Sequence, residues 1–455
     1  MSNTTEVTVK IPQGTLRGAV QDGIICLRGI PYAQPPVGAL RFAAPVAAGP
    51  WPGSRDATRR TPIAPQVPAR ISIAMGHFSH EMSEDCLTLS VWTPAADAKR
   101  RPVIVWIHGG GFSNGAGDLA WYDGSSLAAK DDVVVVGLNY RVGALGFMRA
   151  RGVTPGNLGL MDQELAVRWV SDNIASLGGD PENTTLMGQS AGGLSIALLL
   201  AHGTLPPVRR AILLSPPLGA TMINAANAEK VGEAYVRALG IDPDAADVGE
   251  QVRRMPEEAL MQAQGAATGF FFKEVAKFPD TAPPYMPVAG GAWVPEIDSL
   301  PAALDAAAAR CDVLIDTTHD EAASFFPDTW EPEITAQQFE QPAIRWARHA
   351  AAAGRTAYLS RFDWASKESG FGAAHCIELP FVFDTVDAFA DAPMLAGASR
   401  GDMDALVNAV RPAIAAFARD GSPEHPGLPA WPPCTPAQTP RMHLDRVSRV
   451  EPVVP

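Results

Sequence analysis

An α/β fold with a mostly parallel central sheet is predicted by three features of the sequence. Short, continuously apolar, β-branched runs recur along the chain, and helical spacing follows several of them. The resulting alternation of strand and helix is what crossover connections in a parallel sheet require.

PVIVWIHGG (102–110) and DVVVVGLNY (132–140) end in glycine or a polar turn and read as strands buried on both faces. From Met161 to Leu177 the rows Met161/Leu165/Trp169 and Ala166/Val170/Ile174 recur at helical spacing. This stretch is expected to pack one face on the sheet and to stop at LGGDP, where two glycines and a proline supply a cap and a breaker. A strand TTLM, a Gly/Ser corner, an apolar helix AGGLSIALLLAHG and a strand RRAILLSP follow. CDVLIDTT (311–318) and TAYLSRFDW (356–364) read as two more strands. Between Ala220 and Pro295 the strand signal vanishes, leaving helical stretches and the aromatic patch GFFFKEVAKF. That region, with a helix near Thr335 to Ala353 that Thr335 and Gln338 would open as a capping box, is expected to form a reduced helical cover, inserted at about 220–295 and 326–355. No internal repeat, low-complexity linker or compositional break divides the chain, so a single domain over residues 1–455 is expected.

Bulk properties exclude several classes. With 455 residues and 47% hydrophobic side chains, the chain can bury a large core. A formal net charge of −13 with no dense Lys/Arg run disfavours a nucleic-acid partner, whose phosphates must be neutralised. The five cysteines, Cys26, Cys86, Cys311, Cys376 and Cys434, lack metal-ligand spacing and are too few and odd for a disulfide framework, so neither metal nor disulfides are expected. The N-terminal MSNTTEVTVKIPQG has no basic or apolar signal region, and no run of 18 apolar residues occurs. These features lead to the expectation of a cytoplasmic protein without membrane attachment; monomer and homodimer remain equally open.

The chemistry concentrates in TTLMGQSAGGLS (184–195), where an apolar run ends in Gly188-Gln189-Ser190-Ala191-Gly192. In a nucleophile elbow the serine stands at the tip of a strained strand-to-helix corner, and residues two before and two after it approach so closely that only glycine fits. The helix starting after Ser190 points free N–H groups and its positive end at the reacting centre. Upstream, His108-Gly109-Gly110-Gly111-Phe112 follows a buried strand, and its glycines allow backbone N–H groups to face a negative oxygen. The two pieces together form the nucleophile and oxyanion-hole arrangement of the α/β-hydrolases.

A serine needs a base, and the base an orienting acid. Of nine histidines, His108 belongs to the glycine loop, and His77, His80, His425 and His443 lie in polar or proline-rich surroundings. His319 adjoins Asp320-Glu321, whereas His375 sits in GAAHCIELPFVFDT beyond the last core strand candidate. The chain order serine, acid, histidine favours His375, with Asp320 and Glu321 both placed where a carboxylate can project from the strand end.

The strings LRGIPYAQPPVGALRF, EDCLTLSVWTP, VIVWIHGGGF, GLNYRVGALGF, GNLGLMDQELAVRWVSDNIASLGGDPENTTLMGQSAGG, HDEAASFF and HCIELPFVF run in order from about residue 8 to residue 448. They resemble the type-B carboxylesterases, in particular the bacterial para-nitrobenzyl esterase branch of the cholinesterase-like family. The resemblance implies Ser190 as nucleophile, His375 as general base and acid, Glu321 as the carboxylate orienting the imidazole, and the N–H groups of Gly110, Gly111 and Ala191 as oxyanion hole. It also implies a structural role for Asp320 and a buried hydroxyl, Ser215, hydrogen-bonded near the acid. Five departures stand out. The family's Asp-Glu-Gly is Asp320-Glu321-Ala322, which requires a negative φ at Ala322, and the residue before the nucleophile, often Glu, is Gln189. Glu321 and His375 are only 54 residues apart, a shortening expected to fall in the cover and to open the mouth of the site. Cys86 has no partner cysteine in the preceding loop, and that loop has no tryptophan, which removes the cation–π partner of a choline ester.

Met75, Phe112, Phe271, Phe272, Phe325 and Phe326, together with Phe270 and Trp330, are candidate walls of an apolar pocket. The expected activity is hydrolysis of uncharged short to medium acyl or aryl esters through an acyl-enzyme, without cofactor. Cleavage of aryl carbamates or amides by the same triad is the alternative, and a non-catalytic adhesion homologue is disfavoured by the intact triad residues.

Overall fold

The computed structural model describes residues 5–276, 283–325 and 332–453. In chain order the strands of its 13-stranded sheet are β1 (Thr5–Ile11), β2 (Gly14–Gln21), β3 (Ile24–Pro31), β4 (Ser54–Asp56), β5 (Thr88–Thr93), β6 (Arg101–Ile107), β7 (Val134–Leu138), β8 (Gly179–Gln189) and β9 (Arg210–Leu214). After a separate parallel pair, β10 (Ile223–Asn224) and β11 (Val288–Ala289), the main sheet resumes with β12 (Asp312–Thr318), β13 (Ala357–Phe362), β14 (Pro440–Leu444) and β15 (Arg449–Pro452). The order across it is β1-β2-β3-β5-β7-β6-β8-β9-β12-β13-β14-β15, with β4 beside β2. From β7 to β14 every pairing is parallel; the two flanks are antiparallel apart from the short β4, which runs parallel to β2.

The continuous apolar runs have the origin expected of them. Along β6, Val103, Val105 and Ile107 enter one core with the helices Leu158–Asn173 and Ala191–His202, while Ile104 and Trp106 enter the other, beside the helix Arg400–Asp420. Both faces are covered, so neither register of alternation is polar. The helix expected over 161–177 is Leu158–Asn173 continued by a tight turn at Ile174–Leu177.

Two expectations need correction. The helix Gln341–Ala352 packs against β12 and β13, with Ala343, Trp346, Ala347 and Ala350 in the core, so this part of 326–355 is a layer of the sheet and not a cover. Its amphipathic stripe of alanines lets it lie close to the strands. Thr335 does not cap a helix: it lies inside a helical run that continues from Pro332 through a π-helical turn at Ala336–Glu340, and its hydroxyl accepts from the Ala322 N–H at 3.1 Å.

What positions the site is the order of β7, β6 and β8. The chain leaves β6 for β7 on one side and returns to β8 on the other, and the crevice at such a switch point lies outside the C-terminal strand ends. The register pairs Ile107 with Gly188 and Gln189 with Leu214, so the segments following β6, β8 and β9 emerge side by side.

Candidate active site

Ser190 stands at the junction of β8 and the helix Ala191–His202, with φ +55° and ψ −121°. This backbone conformation is unfavourable for a residue with a side chain, by roughly 1–3 kcal/mol, and survives only where the surroundings fix it. They do: its N–H donates to Leu214 O at 2.8 Å and its carbonyl accepts from Leu194 N at 2.9 Å. The flanking glycines are obligatory. A Cβ on Gly188 would lie 2.6 Å from the Gly192 carbonyl, and one on Gly192 would lie 2.0 Å from Ile107 O. Both obstacles are backbone, which no rotamer change relieves.

The glycine loop after β6 reaches the same point. A Cβ on Gly109 would stand 3.2 Å from Ser190 Cβ. Gly110 (φ +109°) and Gly111 (φ +58°) adopt left-handed conformations, and Ser113 and Asn114 donate back to Gly110 O at 3.1 and 3.2 Å. The N–H groups of Gly110, Gly111 and Ala191 have no hydrogen-bond partner among the described residues. His108 braces the loop. Its ring stacks on Tyr140 at 4.2 Å, its Nδ1–H donates to Gly109 O at 2.7 Å, and Tyr140 donates to its carbonyl at 2.8 Å. Burial pushes its pKa down to about 4, so it is neutral and suited to support, not to proton exchange.

After β12, Glu321 and Asp320 part company. Glu321 is fully buried; its Oε1 accepts from Thr318 N at 2.8 Å and its Oε2 accepts from Nδ1–H of the buried His375. Asp320 instead fastens the segment that carries the histidine: its Oδ2 accepts from Ala373 N at 2.8 Å and its own N–H donates to Ala373 O at 2.9 Å. His319 holds Asp320 Oδ1 at 2.8 Å with a side chain 49% exposed. The hydrogen bond to Asp320 raises its pKa. Ala322 lies in a tight turn with no positive φ, as the substitution for glycine requires.

With Nδ1 facing the Glu321 carboxylate, His375 Nε2 meets the Gln189 side-chain amide nitrogen at 3.0 Å. Ser190 Oγ makes no hydrogen bond among the described residues. The imidazole is therefore one residue away from the serine and engaged with its neighbour. Ser215, expected to bond near the acid, does not: its buried hydroxyl is without a partner among the described residues, although its N–H ties β9 to β12 by donating to Asp316 O at 2.8 Å.

The candidate pocket residues divide. Phe325 lies tilted against His375, ring centroids 5.1 Å apart, and Phe339 approaches from the other described segment at 5.3 Å. Phe339 escaped the sequence reading because a phenylalanine in a helical stretch reads as core; its place in a π-helical turn, where backbone irregularity often marks function, is visible only in three dimensions. Phe112 is buried edge-on against Phe147, Met75 packs into the core, and Phe271 is buried beside Phe272, which is exposed. Met75 and Phe112 are thus packed side chains in this structure. Phe326 and Trp330 lie outside the described residues. No cluster of three or more His, Cys, Asp or Glu side chains suited to a metal ion is present among the described residues. No helix among them is long and apolar enough to cross a membrane.

The sequence model of the carboxylesterase family matches residues 5–341 and 331–452. A phenmedipham hydrolase of Pseudarthrobacter oxydans is 34% identical, over 92% of this chain and 91% of its own. A para-nitrobenzyl esterase of Bacillus subtilis is 32% identical, over 94% and 92%. Among solved structures, a thermophilic PNB esterase superposes with a TM-score of 0.87 at 30% identity, covering 98% of both chains.

Proposed function

The chain belongs to the carboxylesterase family and is a carboxylic-ester hydrolase, and from that premise we propose that it is a serine esterase in which Ser190 is the nucleophile, His375 the general base and acid, and Glu321 the orienting carboxylate. One observation carries the reading: three unpaired backbone N–H groups and a buried carboxylate–imidazole pair border a serine held in a strained conformation.

In this mechanism substrate entry releases His375 Nε2 from Gln189, and the imidazole takes the Ser190 proton as Oγ attacks the ester carbonyl. The N–H groups of Gly110, Gly111 and Ala191 receive the oxyanion, each such donor being worth about 3 kcal/mol. The imidazolium then protonates the departing alcohol, and water repeats the cycle on the acyl-enzyme. Phe325 and Phe339 beside His375 favour uncharged aryl or short to medium acyl groups. The relative named as a phenmedipham hydrolase favours a second reading, in which the same residues cleave aryl carbamates. The five free, buried cysteines support a cytoplasmic setting.

The test is labelling with a fluorophosphonate probe followed by peptide mapping. The adduct is expected on Ser190; modification of another serine, with Ser190→Ala still labelled and active on para-nitrophenyl esters, would refute the assignment. Parallel rates on esters and carbamates of matched aryl groups decide between the two substrate readings.

A further inference from the structure

Behind the carboxylate of Glu321, on the side of the sheet covered by the helix Arg400–Asp420, lies a small cavity of about 20 Å³ that the proposed mechanism does not use. Its walls are mostly aliphatic, from Leu214, Leu314, Val410 and Ile414, but four polar side chains face into it: Asp316, Ser360, Glu378 and Trp431. Each is at least 97% buried. Among the described residues, Asp316 Oδ1, both carboxyl oxygens of Glu378, Ser360 Oγ and Trp431 Nε1 have no hydrogen-bond partner. No lysine, arginine or histidine lines the space.

Two carboxyl groups in a cavity without a cation cannot both be ionised, because each charge would lose its hydration and face the other. Nor can their oxygens remain unpaired, since a buried polar atom without a partner is destabilising by roughly 1–3 kcal/mol. Water answers both needs. The site has donors in Trp431 and Ser360, acceptors in the carboxyl oxygens, and room at its centre for a water molecule, which needs two to four polar partners. We propose that this cavity is a buried water site in which Asp316 and Glu378 are held as neutral acids bridged by solvent.

The surroundings fit. Asp316 faces Glu378 and Glu321, with Asp363 beyond β13, and burial lifts its pKa to about 8. Glu378, pushed up by burial and by Asp316 and Glu321, also neighbours the thiol of Cys376 and the Tyr122 phenol, neither of which supplies positive charge. Glu378 lies on the segment that carries His375, so charging the pair loosens that segment from behind. Glu321 then remains the carboxylate paired with the imidazole, and its two neighbours stay silent.

The consequence for pH has a definite sign. Asp316 keeps its proton to about pH 8 in the fold, against an ordinary value of 3.8, so between these values the folded state holds the extra proton and stability falls as pH rises. Glu378 acts in the same direction. Removing the acid while keeping the shape, as in Asp316→Asn, removes the Asp316 share of this slope. Relative to that variant, the unfolding equilibrium constant of the wild type should rise by up to about tenfold per pH unit across the window. Urea denaturation of both proteins at a series of pH values reads the difference; parallel curves would overturn the proposal. Where Asp316→Asn does not fold, Glu378→Gln serves, and infrared spectroscopy of the wild type provides an independent reading. A protonated-carboxyl C=O stretch at neutral pH is expected, diminished in either variant, and its absence would refute neutral acids. Above about pH 8 the wild type should also lose kcat reversibly while Asp316→Asn retains it. That activity arm alone rests on the triad assignment; failure of Ser190 labelling would leave the denaturation and infrared results unaffected.

Discussion

The two halves of the candidate site are built by different means. The half at the ends of β6 and β8 is made of backbone: strained Ser190, the left-handed Gly110 and Gly111, and glycines whose missing Cβ atoms let two strand ends and a helix meet. The half beyond β12 is made of side chains: Glu321 held by Thr318, His375 held by Glu321, and the histidine segment tied down by Asp320. The first fails when an atom is added, the second when a functional group is removed.

The sharpest test of that contrast lies on the side-chain half. His375→Ala should lower kcat by a factor of about 10⁴–10⁶ and stability by only about 1–3 kcal/mol, the penalty of leaving the buried Glu321 carboxylate without its partner. A loss of stability as large as the loss of rate would erase the distinction. On the backbone half, Gly192→Ala should destabilise the fold by about 3 kcal/mol, since its Cβ meets the Ile107 carbonyl at 2.0 Å. Gly193→Ala, whose nearest obstacles are at 3.1 Å, is the control and should be much milder by urea denaturation.

Gln189 belongs to both halves, being backbone-fixed beside Ser190 and bonded through its side chain to His375. Gln189→Glu places a carboxylate next to Nε2 and favours the imidazolium. The acid limb of the kcat/KM profile should move up by about one pH unit, with activity lost on the low-pH side. An unchanged limb would mean that the carboxamide does not sense the base. The smallest effect is expected at His319, whose half-exposed pairing with Asp320 is screened by solvent: His319→Ala should keep kcat/KM within about twofold.

The same contrast explains what the sequence made legible. Gly-Gln-Ser-Ala-Gly and the glycine loop were readable because no other residue tolerates those backbone positions, so geometry leaves a mark in composition. Strands β6, β7, β8, β9, β12 and β13 were readable because burial on both faces removes polar alternation. Glu321 and Asp320 could not be separated by pattern alone; adjacent in sequence, they differ in which way they turn. Resemblance to a family chose between them, and it is Glu321 that contacts His375. The strands β1 to β5 and the edge pair β14 and β15 went unread; β1, β2, β4, β14 and β15 are short or partly exposed. The Gln189–His375 bond and the approach of Phe339 depend on contacts between segments more than 30 residues apart and leave no local sign.

The conformation of Ser190 also bears on how the molecule comes into being. A corner with φ +55° is stabilised by nothing within its own pentapeptide; it is imposed by Leu214 on the adjoining strand and by the turn that Leu194 closes. The first of these restraints arrives only when β8 and β9 have docked. During renaturation, helical circular dichroism should therefore return ahead of hydrolytic turnover, and the interval between the two measures how late the Ser190 corner is put in place.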